Sequence, residues 1–540
     1  MIYTPTDEIM KIHQHAREAF LSGKTRSIAF RKEQIAQVGY LLKDNEQRIK
    51  DALKHDLGRP EQETDFFDLT SVYTDVRLAY DNVEQWAKPQ RADFNVNFFA
   101  MSPKLQAEAR GVVLLISPFN FPALLTFSPL VSMIAGGNAV VIKPSEQLST
   151  FIELIAQLVP QYLDKDLYHI VNGGREETAK LLELRWDHIF YVGNGRTGRV
   201  IAEAAAKHLT PTTMELGGKN PVVVDPKCDV NLAARRILWG RFSNAGQICL
   251  APEYVLVPRG FEETLVQAMK EVYASFYPEG PALSASLARV VSQAQAQRIT
   301  TMLNETKGEI VLGGDTDVSQ KYIAPTVVKD VNVNDPLMAD EIFGPVLCLV
   351  PVNDVHEAIA IINSQECPLA VYVFSPDKAF QNKGAVSHDS GVSELQYADC
   401  DIVFENTRSG AAVANDVVLT TGVHGLPMGG IGGSGFGYYT GKHAFEEFTH
   451  FRVSIDNPGW VDKVALGARY PPYKPSKMLA MLTPGLPPRP VQGKNGTLSK
   501  RWALWLAVFL IGAGSAVLTG GQYVGLLEEC MRLKKRLALQ

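Results

Sequence analysis

Several features that define other classes of protein are scarce or missing in this 540-residue chain. Cysteine is rare and forms no C-x-x-C pair, so neither a disulfide framework nor a metal site is expected. A formal net charge of −5 gives no electrostatic basis for binding nucleic acid. The first eleven residues contain no apolar run, so a cleaved secretory signal is not expected. The six cysteines are Cys228, Cys249, Cys348, Cys367, Cys400 and Cys530.

The remaining composition is that of a folded protein. Apolar residues make up 46% of the chain and charged residues 21%, which is ordinary for globular domains. The length suffices for several domains with sizeable cores. Sparse, unpaired cysteines favour a reducing compartment for the main body.

Hydrophobic periodicity divides the chain into segments. Apolar residues at three- and four-residue spacing predict helices up to residue 92, and a shorter alternation follows. From Gly111, β-rich runs alternate with helical stretches, which predicts an α/β protein with a parallel, doubly wound sheet. The predicted segments are a helical region at 1–92, a hairpin at 93–110, a first α/β domain at 111–218, a second α/β domain at 219–424, an arm at 425–470, a proline-rich linker at 471–501 and an apolar helix at 502–527.

The apolar helix is predicted to cross a membrane. Residues 502–520, WALWLAVFLIGAGSAVLTG, contain no charge, and about 20 apolar residues suffice to span a bilayer. Trp502 and Trp505 stand at one edge, where tryptophan suits the membrane interface. The alternative is a buried helix of a soluble domain, which the preceding proline-rich linker disfavours.

The segment FSNAGQICLAP, residues 242–252, carries the candidate nucleophile. Cys249 follows a turn in which backbone N–H groups can converge on a thiolate, the reactive form of cysteine. A lone cysteine is usually a small buried apolar residue, and the other five cysteines are interpreted in this way.

Two further segments supply candidate catalytic groups. Glu215, in MELGGKNP, can act as a general base if it is held in an apolar setting. Taken alone, a glutamate before Gly-Gly is more often a solvated turn residue. Asn120, in SPFNFP, carries an amide that can donate to a developing oxyanion. Taken alone, it is more often a turn asparagine that bonds its own backbone.

The segment YVGNGRTG has glycines at dinucleotide-binding spacing. Gly193, Gly195 and Gly198 follow a predicted strand and precede a predicted helix, where backbone can approach a pyrophosphate. The acidic residue expected about 20 positions later is met only by Glu215, so the fingerprint is incomplete. In EIFGPVL, Glu341 can accept bonds from ribose hydroxyls and Phe343 can pack on a cofactor.

Five motifs in this order resemble the aldehyde dehydrogenase superfamily: SPFNFP, VIKPSE, ELGGKNP, NAGQICLAP and EIFGPVL. Residues 426–450 and the ARYPP segment at 468–472 resemble its class 3 branch. The resemblance covers roughly residues 5–472. The linker and apolar tail are similar to those of membrane-anchored fatty aldehyde dehydrogenases, of the fungal type. The resemblance to the superfamily implies a Rossmann-like cofactor domain at 111–218, a catalytic domain at 219–424 and a hairpin that joins two subunits into a homodimer.

The resemblance also implies the role of each matching residue. Cys249 would be the nucleophile, Glu215 the general base and Asn120 the oxyanion donor. Hydride transfer to the cofactor would leave a thioester on the cysteine, which water then hydrolyses. The cofactor would be NAD, with NADP possible, since the Glu146 carboxylate can repel the 2′-phosphate of NADP. The implied cofactor-binding residues are Lys143, Glu146, Gly193, Gly198, Glu341 and Phe343.

Three positions depart from the family pattern. Gly195 stands where relatives often have threonine or serine, and Phe119 replaces a more common tryptophan. Residues 384–403, GAVSHDSGVSELQYADCDIV, interrupt the pattern, and we interpret them as a surface loop or a retained intron. Sequencing the transcript would decide between these two.

The tail points to a lipophilic substrate, because apolar aldehydes partition into membranes. Long-chain aldehydes such as hexadecenal are the leading class, and an apocarotenoid aldehyde (β-apo-4′-carotenal) is the alternative. A second alternative is a catalytically inactive, membrane-tethered binding protein, which the presence of all three catalytic residues disfavours. The expected location is a tail-anchored enzyme with a cytosolic catalytic domain, on the endoplasmic reticulum, mitochondrial outer membrane or peroxisome.

Overall fold

The computed structural model describes residues 2–95, 98–376, 400–423, 425–473 and 486. The predicted membrane helix at 502–527, most of the linker at 471–501 and residues 384–399 of the extra stretch lie outside these ranges. Within them, no helix has the length and apolarity needed to cross a membrane.

The N-terminal region is helical, as its periodicity predicts. Its helices are α1 Thr6–Leu21, α2 Ile28–Asp44, α3 Glu46–Leu57, α4 Glu61–Glu63 and α5 Thr70–Trp86, with a π-helical turn Thr64–Leu69 before the last. In α2, the apolar residues fall on one face and are fully buried: Ile35, Val38, Leu41 and Leu42. Ser27 begins that helix, since its hydroxyl accepts a hydrogen bond from the Phe30 N–H at 3.3 Å.

A six-stranded sheet forms the core of the first α/β region. Its strands are β3 Val112–Ile116, β4 Ala139–Lys143, β5 Tyr168–Ile170, β6 His188–Gly193, β7 Thr212–Leu216 and β17 Gly435–Phe436. The strand order is β17-β7-β6-β3-β4-β5, and all pairs are parallel except that of β17 with β7. Every residue of β3 and β4 is buried, as expected for a parallel sheet covered on both faces.

A seven-stranded sheet follows in the second α/β region. The strands are β8 Asn220–Val224, β9 Pro252–Pro258, β10 Glu309–Leu312, β13 Thr326–Lys329, β14 Val346–Val352, β15 Ala370–Phe374 and β16 Ala411–Ala414. Their order is β10-β13-β14-β9-β8-β15-β16, and only the β10–β13 pair is antiparallel. A separate two-stranded ribbon joins β11 Thr316–Asp317 to β12 Tyr322–Ile323.

The remaining helices cover the two sheets. They are α6 Pro122–Gly136, α7 Ser149–Tyr162, α8 Arg175–Glu183, α9 Gly195–Ala206, α10 Val230–Phe242, α11 Glu262–Phe276, α12 Gln293–Glu305, α13 Val355–Ser364, α14 Cys400–Asn406 and α15 Gly441–Glu447.

The predicted hairpin at 93–110 needs a correction. Its first strand, β1, is only Gln90–Arg91 and lies before the predicted range, while β2 is Lys104–Ala109. A third strand, β18 Thr449–Ser454, pairs with β2 along its whole length. A three-stranded sheet therefore replaces the simple hairpin, because the partner of β2 comes from the far end of this part of the chain, beyond the reach of a local pattern.

The chain divides into two compact units, Met1–Asp456 and Asn457–Gln540. The described part of the second unit consists of two short helical turns, Asp462–Leu466 and Gly467–Arg469. Within it, Arg469 forms an ion pair with Asp462 at 2.9 Å.

Candidate active site

The turn before Cys249 is strained. Asn244 and Ala245 adopt left-handed backbone angles, with φ of 50° and 51°, and Gly246 follows at 73°. Left-handed residues other than glycine cost about 1–3 kcal/mol each and persist where the surroundings hold them. Gly246 has no freedom to change, since a side chain there would overlap the Gly344 carbonyl. This geometry is typical of a functional turn.

Cys249 is half-buried at the end of this turn, and polar groups hold the chain around it. The Asn220 side-chain amide donates to the Cys249 carbonyl at 2.8 Å, and the Tyr372 hydroxyl donates to the Leu250 carbonyl at 2.6 Å. Burial, followed by the nearby Glu341 and Glu215 carboxyls, raises the pKa of the Cys249 thiol to about 12. The resting thiol is therefore protonated at neutral pH, and attack on a substrate requires removal of its proton.

Asn120 is directed at the same turn. It is buried between β3 and α6, and its side-chain amide donates to the Gln247 carbonyl at 3.1 Å. An asparagine amide carries two N–H groups, so this bond leaves one for another acceptor. The structure therefore places the proposed oxyanion donor against the loop of the proposed nucleophile, rather than on its own backbone.

Glu215 lies within β7 and is buried, so it is not the solvated turn residue that its local sequence alone favours. Neither carboxylate oxygen has a hydrogen-bond partner in the described part of the chain. Burial, followed by the charge of Glu447, raises the pKa of Glu215 well above its ordinary value. A carboxyl with a raised pKa suits a general base that works near neutral pH.

A chain of three hydrogen-bonded groups lies beside Glu215. Thr213 is two residues earlier on β7 and therefore faces the same side of the sheet. Its hydroxyl donates to the Glu447 Oε1 atom at 2.9 Å and lies 2.8 Å from the His188 Nε2 atom. Burial, followed by the charge of Arg110, lowers the pKa of His188 to about 3, so this histidine is neutral.

Glu341 and Phe343 lie together before β14. Burial, followed by the charge of Glu253, raises the pKa of Glu341 to about 8. The Phe343 ring meets that of Phe119 edge-to-face, with the ring centroids 5.7 Å apart. Glu253 fixes this segment, because its Oε2 atom accepts a bond from the Ile342 N–H at 3.1 Å.

The other expected cofactor residues lie at the carboxyl ends of two strands of the first sheet and fit a dinucleotide. Lys143 ends β4, and its Nζ atom lies 2.6 Å from the Glu146 carboxylate, which gives paired polar groups for ribose hydroxyls. Gly193 ends β6, two residues before the N-terminus of α9, the kind of position at which backbone can approach a phosphate. Gly198 instead serves packing, because a side chain there would crowd Leu216 at 2.9 Å.

Sequence reasoning missed several residues of the site. Arg59 and Asp68 lie behind the Cys249 turn, and Glu447 lies beside the Glu215 strand. No local pattern singles them out. Arg59 and Asp68 lie in a stretch rich in charged residues, HDLGRPEQETDFFDL, so nothing in the sequence separates them from ordinary surface charges.

Gly217 provides a test of the role of Glu341. A methyl group on Gly217 would overlap the Glu341 Oε2 atom. We expect Gly217→Ala to displace that carboxyl and to raise the KM for the cofactor roughly tenfold or more, the effect of losing about 1.5–3 kcal/mol. Gly218→Ala is the matched control, because its methyl group would make only an ordinary 3.4 Å contact with Pro368. Steady-state rates at varied cofactor concentration give the KM of both variants. Equal KM values for Gly217→Ala and Gly218→Ala would contradict the role of Glu341.

Comparisons with known proteins agree with this geometry. Residues 3–453 match the sequence profile described as the aldehyde dehydrogenase family. The chain is 39% identical over 472 residues to aldehyde dehydrogenase family 3 member B3 of Mus musculus, covering 87% of this chain and 94% of that protein. It is 39% identical over 465 residues to the dimeric, NADP-preferring aldehyde dehydrogenase of Canis lupus familiaris, covering 86% and 98%.

Solved structures give the same result. A substrate-bound state of Staphylococcus aureus AldH superimposes with a TM-score of 0.78 at 32% identity, covering 83% of this chain and 94% of that one. An NAD-dependent aldehyde dehydrogenase of Sinorhizobium meliloti, at 24% identity and a TM-score of 0.73, shares the fold and covers 85% of this chain and 88% of its own. The chain therefore belongs to the aldehyde dehydrogenase family, in its class 3 branch, and it is an enzyme that oxidises aldehydes with NAD or NADP.

Proposed function

We propose that this enzyme oxidises long-chain or otherwise lipophilic aldehydes to carboxylic acids. The observation that carries the proposal is a group of four aromatic residues, named here the aromatic path: Phe66, Phe67, Phe121 and Trp239. It begins at the surface, where Phe66 is 52% exposed, and it ends at Phe121, the residue after Asn120.

The members of the aromatic path touch one another in sequence. The rings of Phe66 and Phe67 lie 6.1 Å and 5.9 Å from the Trp239 ring, and those of Phe67 and Phe121 lie 5.3 Å apart. An exposed aromatic group of this kind favours contact with apolar ligands. Because it leads to the proposed oxyanion donor, it supports a long apolar substrate with its aldehyde group at Cys249.

The proposed chemistry has two stages. In the first, the Cys249 thiol loses its proton to Glu215 and the sulfur bonds to the aldehyde carbon, which gives a thiohemiacetal oxyanion. Asn120 and the Cys249 backbone N–H donate to this oxygen. The cofactor that Lys143, Glu146, Gly193, Glu341 and Phe343 would hold supplies, when bound, the acceptor for the hydride that leaves this carbon, and loss of that hydride would leave a thioester on Cys249.

In the second stage, Glu215 first releases the proton from Cys249 to solvent and then takes a proton from water, and the hydroxyl oxygen bonds to the thioester carbon. The carbon–sulfur bond then breaks and releases the carboxylic acid. The position of Glu215 supports the removal of both protons by this one carboxyl. Glu215 lies close enough to Cys249 to raise the pKa of its thiol, and its oxygens have no hydrogen-bond partner among the described residues.

The membrane location and the assembly are also proposals. The uncharged run at 502–520 supports a C-terminal anchor with the catalytic domain in the cytosol, on one of the three membranes named above. The canine relative is named as dimeric and NADP-preferring. We propose a homodimer for this chain as well. We favour NAD because Glu146, which the family resemblance assigns to the adenosine ribose, would repel a 2′-phosphate, although Lys143 at 2.6 Å reduces that repulsion.

The test is steady-state oxidation of an aldehyde panel by the full-length protein in detergent, with NAD and NADP in parallel. The panel runs from acetaldehyde through decanal and hexadecenal to β-apo-4′-carotenal. We expect kcat/KM to rise with chain length by up to about fourfold per added methylene for as long as each methylene gains contact with the aromatic path, since each buried methylene contributes about 0.8 kcal/mol. Flotation of the protein with lipid vesicles tests the anchor.

A variant pair shows whether the aromatic path causes the preference. Phe66→Ala is expected to flatten the dependence on chain length, whereas Tyr40→Ala, which truncates a 59% exposed aromatic residue on α2, leaves it unchanged. A rate that falls steadily above about six carbons would contradict a lipophilic substrate, given the expected rise of up to about fourfold per methylene. A maximum at the apocarotenal would select that aldehyde class instead.

A further inference from the structure

The strained turn Ser243–Gly246 cannot hold its shape by local contacts alone. Three successive residues are left-handed, and two of them, Asn244 and Ala245, are not glycine. Strained conformations of this kind persist only when neighbouring groups fix them from several directions. Gln247 supports the turn locally, through bonds of 3.0 Å and 2.9 Å with Asn244, and further groups come from the helical N-terminal region, far earlier in the chain.

Arg59 supplies most of these contacts. It is fully buried, and its Nε and Nη2 atoms donate to the Asn244 Oδ1 atom at 3.1 Å and 2.7 Å. Its Nη2 atom also donates to the Asn120 carbonyl. The Asn244 side-chain amide donates to the same carbonyl at 3.0 Å. One guanidinium group therefore ties the backbone of the oxyanion donor to the turn that precedes the nucleophile.

Two carboxylates complete this arrangement. Asp68 accepts from the Arg59 Nη1 atom at 2.6 Å and from the Leu124 N–H, in the first turn of α6, at 2.7 Å. Glu63 accepts from the Asn244 N–H at 3.0 Å. Asp68 lies in the π-helical turn Thr64–Leu69, a local deviation that is frequent at functional sites.

The chemistry of the Arg59–Asp68 ion pair indicates that it positions the site rather than stabilises the fold. A buried ion pair contributes little net stability over well-packed apolar residues. A guanidinium group offers several donors in a fixed plane, which a lysine ammonium cannot reproduce. Arg59 uses those donors on three acceptors at once: Asp68, Asn120 and Asn244.

We propose that Arg59 is a positioning residue for catalysis, which holds the Asn120 backbone and the Ser243–Gly246 turn in the register that the oxyanion requires. The inference rests on the proposed roles of Cys249 and Asn120. Asp68 orients the guanidinium group. The oxyanion exists only after substrate has bound, so loss of the register lowers kcat and leaves the KM for the aldehyde nearly unchanged.

The test compares Arg59→Lys with Arg31→Lys in the full-length protein, using decanal and NAD. Arg31 is a matched control because it is also a buried arginine that donates to backbone carbonyls, those of Thr25 at 2.6 Å and Ala135 at 3.0 Å. We expect kcat to fall about 100-fold in Arg59→Lys, the size of losing one oxyanion donor, with KM within about threefold of the wild type. Arg31→Lys is expected to keep the kcat of the wild type and to lose about as much thermal stability as Arg59→Lys.

Further measurements can contradict the inference. If Arg59→Lys does not fold, Asp68→Asn decides. Its one side-chain oxygen can keep the bond from the Leu124 N–H, but its amide nitrogen cannot accept from the Arg59 Nη1 atom, so we expect a fall in kcat with the KM nearly unchanged. A kcat equal to that of Arg31→Lys, or a loss confined to KM, would overturn the positioning role. An active Cys249→Ala variant would overturn the proposed function, whereas an inactive one beside a fully active Arg59→Lys would overturn only the present inference.

Discussion

Cys249→Ala is expected to lose aldehyde oxidation by at least about 10⁴-fold, because no other group can form the covalent intermediate. The change removes one sulfur atom from a half-buried position and leaves the Asn220 bond to the backbone carbonyl in place. The fold and cofactor affinity are therefore expected to survive. Formation of reduced cofactor measures turnover, and a thermal melt with and without NAD checks the rest.

Cys228→Ala is the matched control for this experiment. Cys228 is also a part-buried free cysteine, and burial, followed by Asp225 and Asp229, raises its pKa to about 11. It stands away from the strained turn, just before α10, so its loss is expected to leave turnover unchanged. Retained oxidation in Cys249→Ala would exclude the covalent mechanism.

The raised pKa of Cys249 also determines how its reactivity should be measured. With a pKa of about 12, little thiolate is present at pH 7 in the cofactor-free protein, so alkylation by iodoacetamide is expected to be slow there and to rise with pH. Slow labelling at neutral pH is thus no sign of an inactive enzyme. The informative comparison is labelling at alkaline pH, with and without the cofactor.

Glu215→Gln is expected to lower steady-state turnover by about 10²–10⁴-fold, the usual contribution of a general base. In the wild type, the pKa of Glu215 is raised by burial and then by Glu447, so turnover is expected to increase as pH rises and ionises this carboxyl. Glutamine cannot ionise, and the variant is expected to lose that limb of the pH profile. Stopped-flow and steady-state rates from pH 5 to pH 9 measure both effects.

The stability of the wild type is expected to fall over the pH range in which its turnover rises, whereas that of Glu215→Gln is not. A carboxyl whose pKa is raised in the folded state stabilises the fold while it is protonated, and this stabilisation is lost as pH rises through the folded pKa. The difference in Tm between Glu215→Gln and the wild type is therefore expected to grow from pH 5 to pH 9 in favour of the variant. A constant difference would show that Glu215 is ionised throughout.

Glu447→Gln and Glu446→Gln form a control pair for the charge beside Glu215. Glutamine at 447 keeps an oxygen that accepts from Thr213, so only the charge is removed. Removing this charge lowers the pKa of Glu215, so the rise in turnover that follows its ionisation is expected to move to lower pH in this variant. Glu446 pairs with Lys442 at 3.0 Å on the same helix, and its replacement is expected to leave the profile unchanged.

The elements, and the positions of the proposed site residues within them, were predictable because their signals are local. The periodicity of Ile35, Val38, Leu41 and Leu42 predicts α2, and the β-rich runs predict the strands of both sheets. The ordered motifs place Cys249 on its turn and Asn120 at the end of a strand. These features depend on residues that are close together in the sequence.

The contacts that tune the site were not predictable because they join distant segments. Arg59 meets Asn244 across 185 positions, and Thr213 meets Glu447 across 234. The local sequence of Glu215 favours a solvated turn, and only tertiary packing reverses that preference. The third strand of the small sheet was missed for the same reason, since β18 comes from the far end of the first compact unit.

The antiparallel pairing of β17 with β7 has a consequence for biosynthesis. Gly435 pairs with Glu215 in this register, although the two residues leave the ribosome far apart in time. Until residue 436 has emerged, β7 remains an unpaired sheet edge, which is open to aggregation. In a nascent chain halted before that point, the strand that carries Glu215 would be paired on one side only, with β6. The sheet edge at this residue is thus completed late in translation.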